Sequence, residues 1–170
     1  MVASVLELTP RTLNVFKILN ARVPIIRFKN SAVNLNCDIS AQAMDSIKMT
    51  ELLYLYSVCD PRVKLLMAGI KQWAINCNLT SSGEQQKPTT IGLVAMLIFF
   101  LQTRSPPVIP TLKKMQSLAR TTEMFYIDNI VYGLPSDPNS IPRSQNTEST
   151  ENLLHGFFQF YSEFDFKTKA

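Results

Sequence analysis

The stretch VPIIRFKNSAVNLNCDIS, residues 23–40, predicts two short strands joined by a polar turn. In its second half apolar and polar residues alternate, and such a period of two is typical of a half-buried strand. The polar side of this strand carries Asp38, where a carboxylate is in most proteins only a solvated charge. The opposite side, which we expect to face a core, carries Val33, Leu35, Cys37 and Ile39.

The composition limits the number of domains and the kinds of site that the chain can contain. A chain of 170 residues, 46% of them hydrophobic, suits one folded domain or slightly more. The net charge of +4 permits an anionic partner such as nucleic acid without requiring one. Cys37, Cys59 and Cys77 have neither the spacing of a zinc site nor that of a disulfide framework, and their odd number favours a reducing compartment. A single histidine excludes a multi-histidine site within this sequence.

Most of the remaining sequence predicts helices. Residues 11–20 place Leu13, Phe16 and Leu19 at helical spacing, and Thr50 is a candidate N-cap further on. Asp60 and Pro61 are a good N-cap and first helical residue for a helix that runs to about residue 78. Residues 91–102 are apolar all round, which predicts a helix buried on every side but too short to cross a membrane.

The C-terminal third alternates between proline-rich connections and short elements. Residues 104–110 predict an extended segment, and residues 113–120 predict a short basic helix. The sequence around Asp128 and Asn129 predicts a small hairpin. Thr147 is a candidate cap for a final aromatic helix. We expect its aromatic stripe to be buried, together with Trp73, Phe99, Phe100 and Leu101.

Five blocks of sequence together resemble a known family. They are ILNARVPIIRF, NLNCDIS, DPRVKLLMAGIKQWA, LIFFLQTRSPPVIPTL and SQNTESTENLLHGFFQFYSEFDF. The same blocks occur in this order in the template-independent RNA nucleotidyltransferases, which include poly(A) polymerases and terminal uridylyltransferases. The RSPPV and QNTE signatures favour the mitochondrial poly(A) polymerases among them. The resemblance covers nearly the whole chain.

The resemblance implies a fold, an activity and partners. It implies an α+β chain in which residues 1–43 end a nucleotidyltransferase catalytic domain and residues 44–170 form a helical central domain. It implies a polynucleotide adenylyltransferase that adds AMP from ATP to RNA 3′ ends in mitochondria, using two Mg²⁺ (or Mn²⁺) ions. Its partners would be an RNA 3′ end and a nucleoside triphosphate. Homodimer formation stays open, and no membrane span is expected.

The resemblance also assigns candidate site residues. Asp38 matches the last of three metal-binding catalytic carboxylates, and we expect it to face a cleft that Lys71 also approaches. Lys71 matches a basic residue that contacts the triphosphate, although a solvated helix face would also explain it. Thr89 and Thr90 match a polar pair that reaches phosphate, although an ordinary N-cap is an equally good explanation. Thr50 lies beside a position that contacts the ribose.

The sequence also departs from the family pattern. It contains no Gly-Ser pair and no two aspartates two residues apart, so the Asp-x-Asp that supplies the other carboxylates is not among these residues. Ile75 and Ile91 stand where the family has a second basic residue and a base-stacking aromatic. Met1 aligns within the family's sequence, which leaves two interpretations. The chain is either an incomplete form of an active polymerase, inactive alone, or a non-catalytic paralogue or isoform that acts as a dimerising or RNA-binding scaffold.

Overall fold

The structure is a computed structural model that describes residues 1–21, 23–41, 44–80, 87–127 and 130–166. It divides into two compact units, Met1–Thr50 and Glu51–Ala170. The first unit carries a three-stranded antiparallel sheet, and the second is mainly helical. The chain is therefore α+β, as the sequence predicts.

The first unit begins with a short helix, α1 (Val2–Leu8), that packs against the first strand. The strands are β1 (Thr12–Ile18), β2 (Ile25–Asn30) and β3 (Leu35–Ser40), in the sheet order β1-β2-β3. The hairpin predicted within residues 23–40 is thus confirmed. Its second strand starts two residues later than the alternation suggests, because Asn34 adopts a left-handed φ of 55° in the turn.

The prediction of a helix over residues 11–20 is wrong, and a bulge in β1 explains the error. The pairing of β1 with β2 shifts register between Leu13 and Phe16, where Asn14 has a φ of 53°. Such a bulge inserts an extra residue into one strand, so residues three apart oppose partners only two apart. Leu13 and Phe16 therefore imitate a helical spacing while they belong to a strand.

The apolar side of β3 is not covered by a core within the described residues. Leu35 and Ile39 are exposed, and Cys37 is only half-buried. The alternation correctly predicts a strand with one apolar face, but the expectation that this face enters a core is wrong for the part of the chain that the structure describes.

The second unit is built from helices that follow clear start signals. They are α2 (Met44–Cys59), which begins in the first unit, α3 (Pro61–Asn76), α4 (Thr90–Thr103), α5 (Leu112–Leu118) and α6 (Thr150–Ser162). Asp60 caps α3 by accepting the Arg62 backbone N–H at 3.0 Å, and Pro61 is the first helical residue, as predicted. Strands β4 (Met124–Ile127) and β5 (Ile130–Gly133) form the predicted hairpin, whose Asp128-Asn129 turn lies outside the described residues.

Two predicted caps are wrong. Thr50 lies in the middle of α2, where its hydroxyl donates to the Ser46 carbonyl at 2.8 Å, because the helix already begins at Met44. Thr147 precedes α6 by three residues, and Ser149 caps that helix by accepting the Asn152 backbone N–H at 3.1 Å. Both errors come from choosing one hydroxyl residue among several near a helix start.

The core of the second unit lies between α3, α4 and α6. Phe100 and Leu101 are fully buried, as predicted. Trp73, Phe99 and Ile91 keep more than a third of their surface exposed, so the prediction of burial for Trp73 and Phe99, and of a helix buried on every side, is wrong. α3 and α6 cover one side of α4, where the buried residues are Leu93, Leu97, Phe100 and Leu101.

No helix within the described ranges is long and apolar enough to cross a membrane.

Candidate active site

The candidate catalytic carboxylate, Asp38, lies on β3 and forms an ion pair with Arg27 of β2. The two residues face each other directly in the antiparallel register. Arg27 donates from Nε to Oδ1 and from Nη2 to Oδ2, both at 2.8 Å. The side chains of Arg27 and Asp38 are 51% and 42% exposed. Asp38 is therefore an exposed strand carboxylate, as predicted, but a guanidinium holds both of its oxygens.

The ion pair favours the charged form of each partner. The hydrogen bonds from Arg27 hold the pKa of the Asp38 carboxyl below its usual value, and desolvation opposes this shift. The same contact raises the pKa of Arg27. Because each carboxylate oxygen has two lone pairs, an acceptor position remains on both after Arg27 has donated.

Among the described residues Asp38 does not form a complete metal site. No group of three or more His, Cys, Asp or Glu side chains there is placed to hold a metal ion. Mg²⁺ prefers several oxygen ligands in near-octahedral geometry, and two ions need several carboxylates between them. One carboxylate already paired with a guanidinium does not fit a two-metal centre, so Asp38 alone would leave such a centre incomplete.

The candidate phosphate-binding threonines lie together at the start of α4. Thr89 is the N-cap, and its Oγ1 accepts the Gly92 backbone N–H at 3.1 Å. Thr90 is the first helical residue and is half-buried. A helix N-terminus favours anions through its unpaired N–H groups and its dipole. The capping explanation for Thr89 is therefore correct, and a phosphate role for the pair stays a prediction.

The remaining candidates lie on two other helices. Lys71 is an exposed residue of α3, and Ile75, one turn later on the same helix, is also exposed. Thr50 is an interior residue of α2. Asp38 belongs to the first unit and Lys71 to the second, so the prediction that both face one cleft stays a prediction.

A partly buried polar network that sequence reasoning missed joins three of the family-like blocks. Its centre is Arg62, whose guanidinium donates to both carboxylate oxygens of Asp60, at 2.9 and 2.6 Å. It also donates to Oδ1 and the carbonyl of Asn146, at 3.0 and 2.9 Å, and to the carbonyl of Glu148. Arg104 makes a bidentate ion pair with Glu148, with distances of 3.0 and 2.7 Å.

The network explains why these motifs accompany one another. The block DPR (residues 60–62) starts α3, RSPPV (104–108) follows α4, and QNTE (145–148) precedes α6. Asn146 completes the junction by donating from Nδ2 to the Pro106 carbonyl at 2.9 Å and to Glu148 Oε1 at 2.8 Å. Buried polar groups require such partners. These signatures therefore build the scaffold of the helical unit and need not contact a substrate.

Comparisons with known proteins point to one family. A family model described as the central palm domain of mitochondrial-like poly(A) RNA polymerase matches residues 1–58. The mitochondrial poly(A) RNA polymerase of Mus musculus is 38% identical over 161 residues, which cover 95% of this chain and 28% of that protein. This chain therefore spans less than a third of that relative's length.

Solved structures agree with the sequence relatives. The crystal structure of mtPAP in complex with ATPgammaS has a TM-score of 0.91 at 37% identity, covering 97% of this chain and 36% of that one. A crystal structure of the Cid1 poly(U) polymerase with Mg and 3′-dATP bound has a TM-score of 0.80 at 30% identity, covering 96% of this chain and 51% of that one. The resemblance drawn from the motifs is thus confirmed: the chain is related over nearly its whole length to the template-independent RNA nucleotidyltransferases.

Proposed function

We propose that this chain contributes to a nucleotidyltransferase that adds AMP from ATP to RNA 3′ ends. The observation that carries the proposal is the match of 97% of the chain to a polymerase structure that holds an ATP analogue. Asp38 would contribute one carboxylate to the metal centre, while Lys71, Thr89 and Thr90 would hold the triphosphate and Thr50 would lie near the ribose. We also propose a mitochondrial location, because relatives from several organisms are mitochondrial poly(A) polymerases.

The chemistry divides between these residues and the metal. Bound Mg²⁺ or Mn²⁺ supplies activation of the RNA 3′-hydroxyl and neutralisation of the leaving pyrophosphate. Lys71 is an exposed cation on a rigid helix, which suits a point contact with a phosphate. The N-terminus of α4, capped by Thr89, offers backbone donors for a phosphate oxygen. The Asp-x-Asp that would supply the other carboxylates is not found in this sequence.

The second candidate function is a non-catalytic scaffold. Two observations favour it: Arg27 occupies both oxygens of Asp38, and the described residues contain no metal-binding cluster. Such a paralogue or isoform would keep the helical unit with its Arg62 network and would bind RNA or a second polymerase subunit.

Primer extension separates the two functions. We expect the 170-residue chain with Mg²⁺, ATP and a short RNA to add no nucleotides, because one carboxylate does not hold two metal ions. A longer form with an upstream Asp-x-Asp should extend the RNA, and Asp38→Ala should abolish this activity. Lys71→Ala in the longer form should raise KM for ATP, whereas Lys64→Ala, an equal charge change two turns away on α3, should not. A longer form that is inert but binds a polymerase subunit would establish the scaffold function instead.

A further inference from the structure

We propose that a proline-lined groove in the helical unit is a docking site for an extended peptide segment of a partner protein, in which an apolar side chain lies between acidic residues. The groove has a volume of about 410 Å³ and is formed by the segment from the end of α4 to the start of α5 and by the segment that precedes α6. Its apolar surface comes from Pro106, Pro107, Val108, Ile109, Pro110 and Pro142. The inference goes beyond the proposed nucleotide transfer, which uses none of these residues.

Hydrogen bonds hold the walls of the groove in place. Ser144 Oγ donates to the Pro107 carbonyl at 3.0 Å, which ties the segment before α6 directly to the segment after α4. Gln102 Nε2 donates to the Pro110 carbonyl at 3.0 Å and to the Tyr56 hydroxyl at 3.1 Å. Each proline also fixes its own φ. A groove that is rigid before binding loses little conformational entropy when a ligand enters it, so even a short segment can bind there.

The charged side chains that line the groove are both positive. They are Lys114 of α5 and Arg143 of the segment before α6, and both are exposed. Within the described ranges neither side chain forms an ion pair. Binding surfaces of opposite charge attract and select one another. Carboxylates on a partner would therefore meet two uncompensated cations beside an apolar surface.

The lining favours a peptide over RNA. Among the described residues that form the groove, none carries an aromatic ring. Proteins that bind single-stranded nucleic acid stack its bases on aromatic side chains, and they neutralise several phosphates along the strand. Proline and aliphatic side chains instead offer apolar surface that an apolar side chain can cover. Two cations beside such a surface suit an apolar residue with acidic neighbours in an extended peptide.

The experiment is a peptide titration of the ¹⁵N-labelled 170-residue chain, followed by NMR. The probe is a short peptide with one phenylalanine between glutamates. The reporters are the backbone amides of Thr111, Ser144 and Gln145 and the side-chain amide of Gln102, all of which line the groove. We expect saturable shifts of these signals. Replacing the phenylalanine of the peptide with alanine should weaken binding about tenfold, because an apolar anchor is lost.

The chain offers a matched control for the charge effect. Lys113 is an exposed neighbour of Lys114 on α5 and does not line the groove. We expect Lys114→Gln and Arg143→Gln each to weaken binding by about two- to fivefold, as for other exposed ion pairs. Lys113→Gln makes an equal change of charge and should leave the affinity nearly unchanged. Amide spectra of the free variants confirm that each one is folded.

Three outcomes would overturn the proposal. The first is that the acidic peptide shifts none of the groove signals at about 1 mM. The second is that Lys113→Gln weakens binding as much as Lys114→Gln, since the attraction would then be diffuse. The third is that an oligoadenylate shifts the groove signals at lower concentrations than the peptide, which would identify a nucleic-acid site. None of these outcomes bears on primer extension, so the proposed function is tested separately.

Discussion

Replacing Arg62 with methionine should destabilise the helical unit strongly. Methionine keeps much of the aliphatic stem and preserves the backbone N–H that Asp60 accepts. It removes every hydrogen bond that the guanidinium donates to Asp60, Asn146 and Glu148. The side chains of Arg62 and Asp60 are only 17% and 7% exposed, so water cannot fully replace these bonds.

The magnitude follows from what is left behind. Removing one partner of a buried ion pair typically costs about 3–5 kcal/mol, because the other charge stays buried without compensation. Asp60 keeps its contact with the N-terminus of α3, which favours a negative charge and offsets part of that cost. We therefore expect the unfolding free energy to fall by about 3 kcal/mol.

The assay is urea unfolding followed by far-UV circular dichroism, with Arg143→Met as the control. Arg143 is an exposed arginine near the same segment, and its replacement should change stability by less than about 0.5 kcal/mol. Combining Arg62→Met with Asn146→Ala should cost less than the sum of the two single changes, because the residues share hydrogen bonds. A loss below about 1 kcal/mol with an unchanged denaturant slope, or strict additivity of the pair, would refute the reasoning.

Three further predictions concern packing, pH and capping. Phe100→Ala should lower the unfolding free energy by about 3–5 kcal/mol, and Trp73→Ala should lower it clearly less because part of the indole ring is solvated. Urea unfolding measures both losses, and equal values would contradict the packing described. Hydrogen bonds from Arg104 lower the pKa of Glu148, so its contribution to stability is present above its ordinary pKa and is lost as pH falls through the lowered value. Glu148→Gln should accordingly destabilise the chain at neutral pH and have a smaller effect in acid, which unfolding at several pH values measures; a pH-independent difference would contradict this. Thr89→Ala should cost about 1 kcal/mol through the lost cap of α4, and an unchanged thermal midpoint would show that the Gly92 N–H finds another partner.

Local signals in the sequence predict much of the fold. The Asp60-Pro61 pair correctly predicts where α3 begins, and the alternation around Asp38 correctly predicts a strand. Both signals depend only on residues that are neighbours in the sequence. The strand β1 could not be predicted in this way, since the bulge at Asn14 disguises its period. For α4 the sequence shows only that every side is apolar, and tertiary packing decides which sides remain exposed.

The contacts of the candidate site also differ in whether local sequence predicts them. Arg27 was within reach of sequence reasoning, because a hairpin centred between Ala32 and Val33 places it opposite Asp38. The Arg62 network was not, since its contacts with Asn146 span 84 residues of chain and no local pattern encodes them. The family-like blocks contain the residues of this network, but their sequences do not show which residues contact one another.

The partial exposure of Trp73 has a spectroscopic consequence. It is the one tryptophan in the sequence, and its ring centroid lies 4.7 Å from that of Phe158, at 63° between the planes. When only tryptophan is excited, the fluorescence therefore comes entirely from Trp73, at the contact between α3 and α6. The exposed part of the indole is accessible to a soluble quencher such as iodide, while the covered part depends on Phe158 staying in place. Lys71 precedes Trp73 by two residues on α3, so the natural sequence carries its own optical reporter on the helix where a triphosphate is expected to bind.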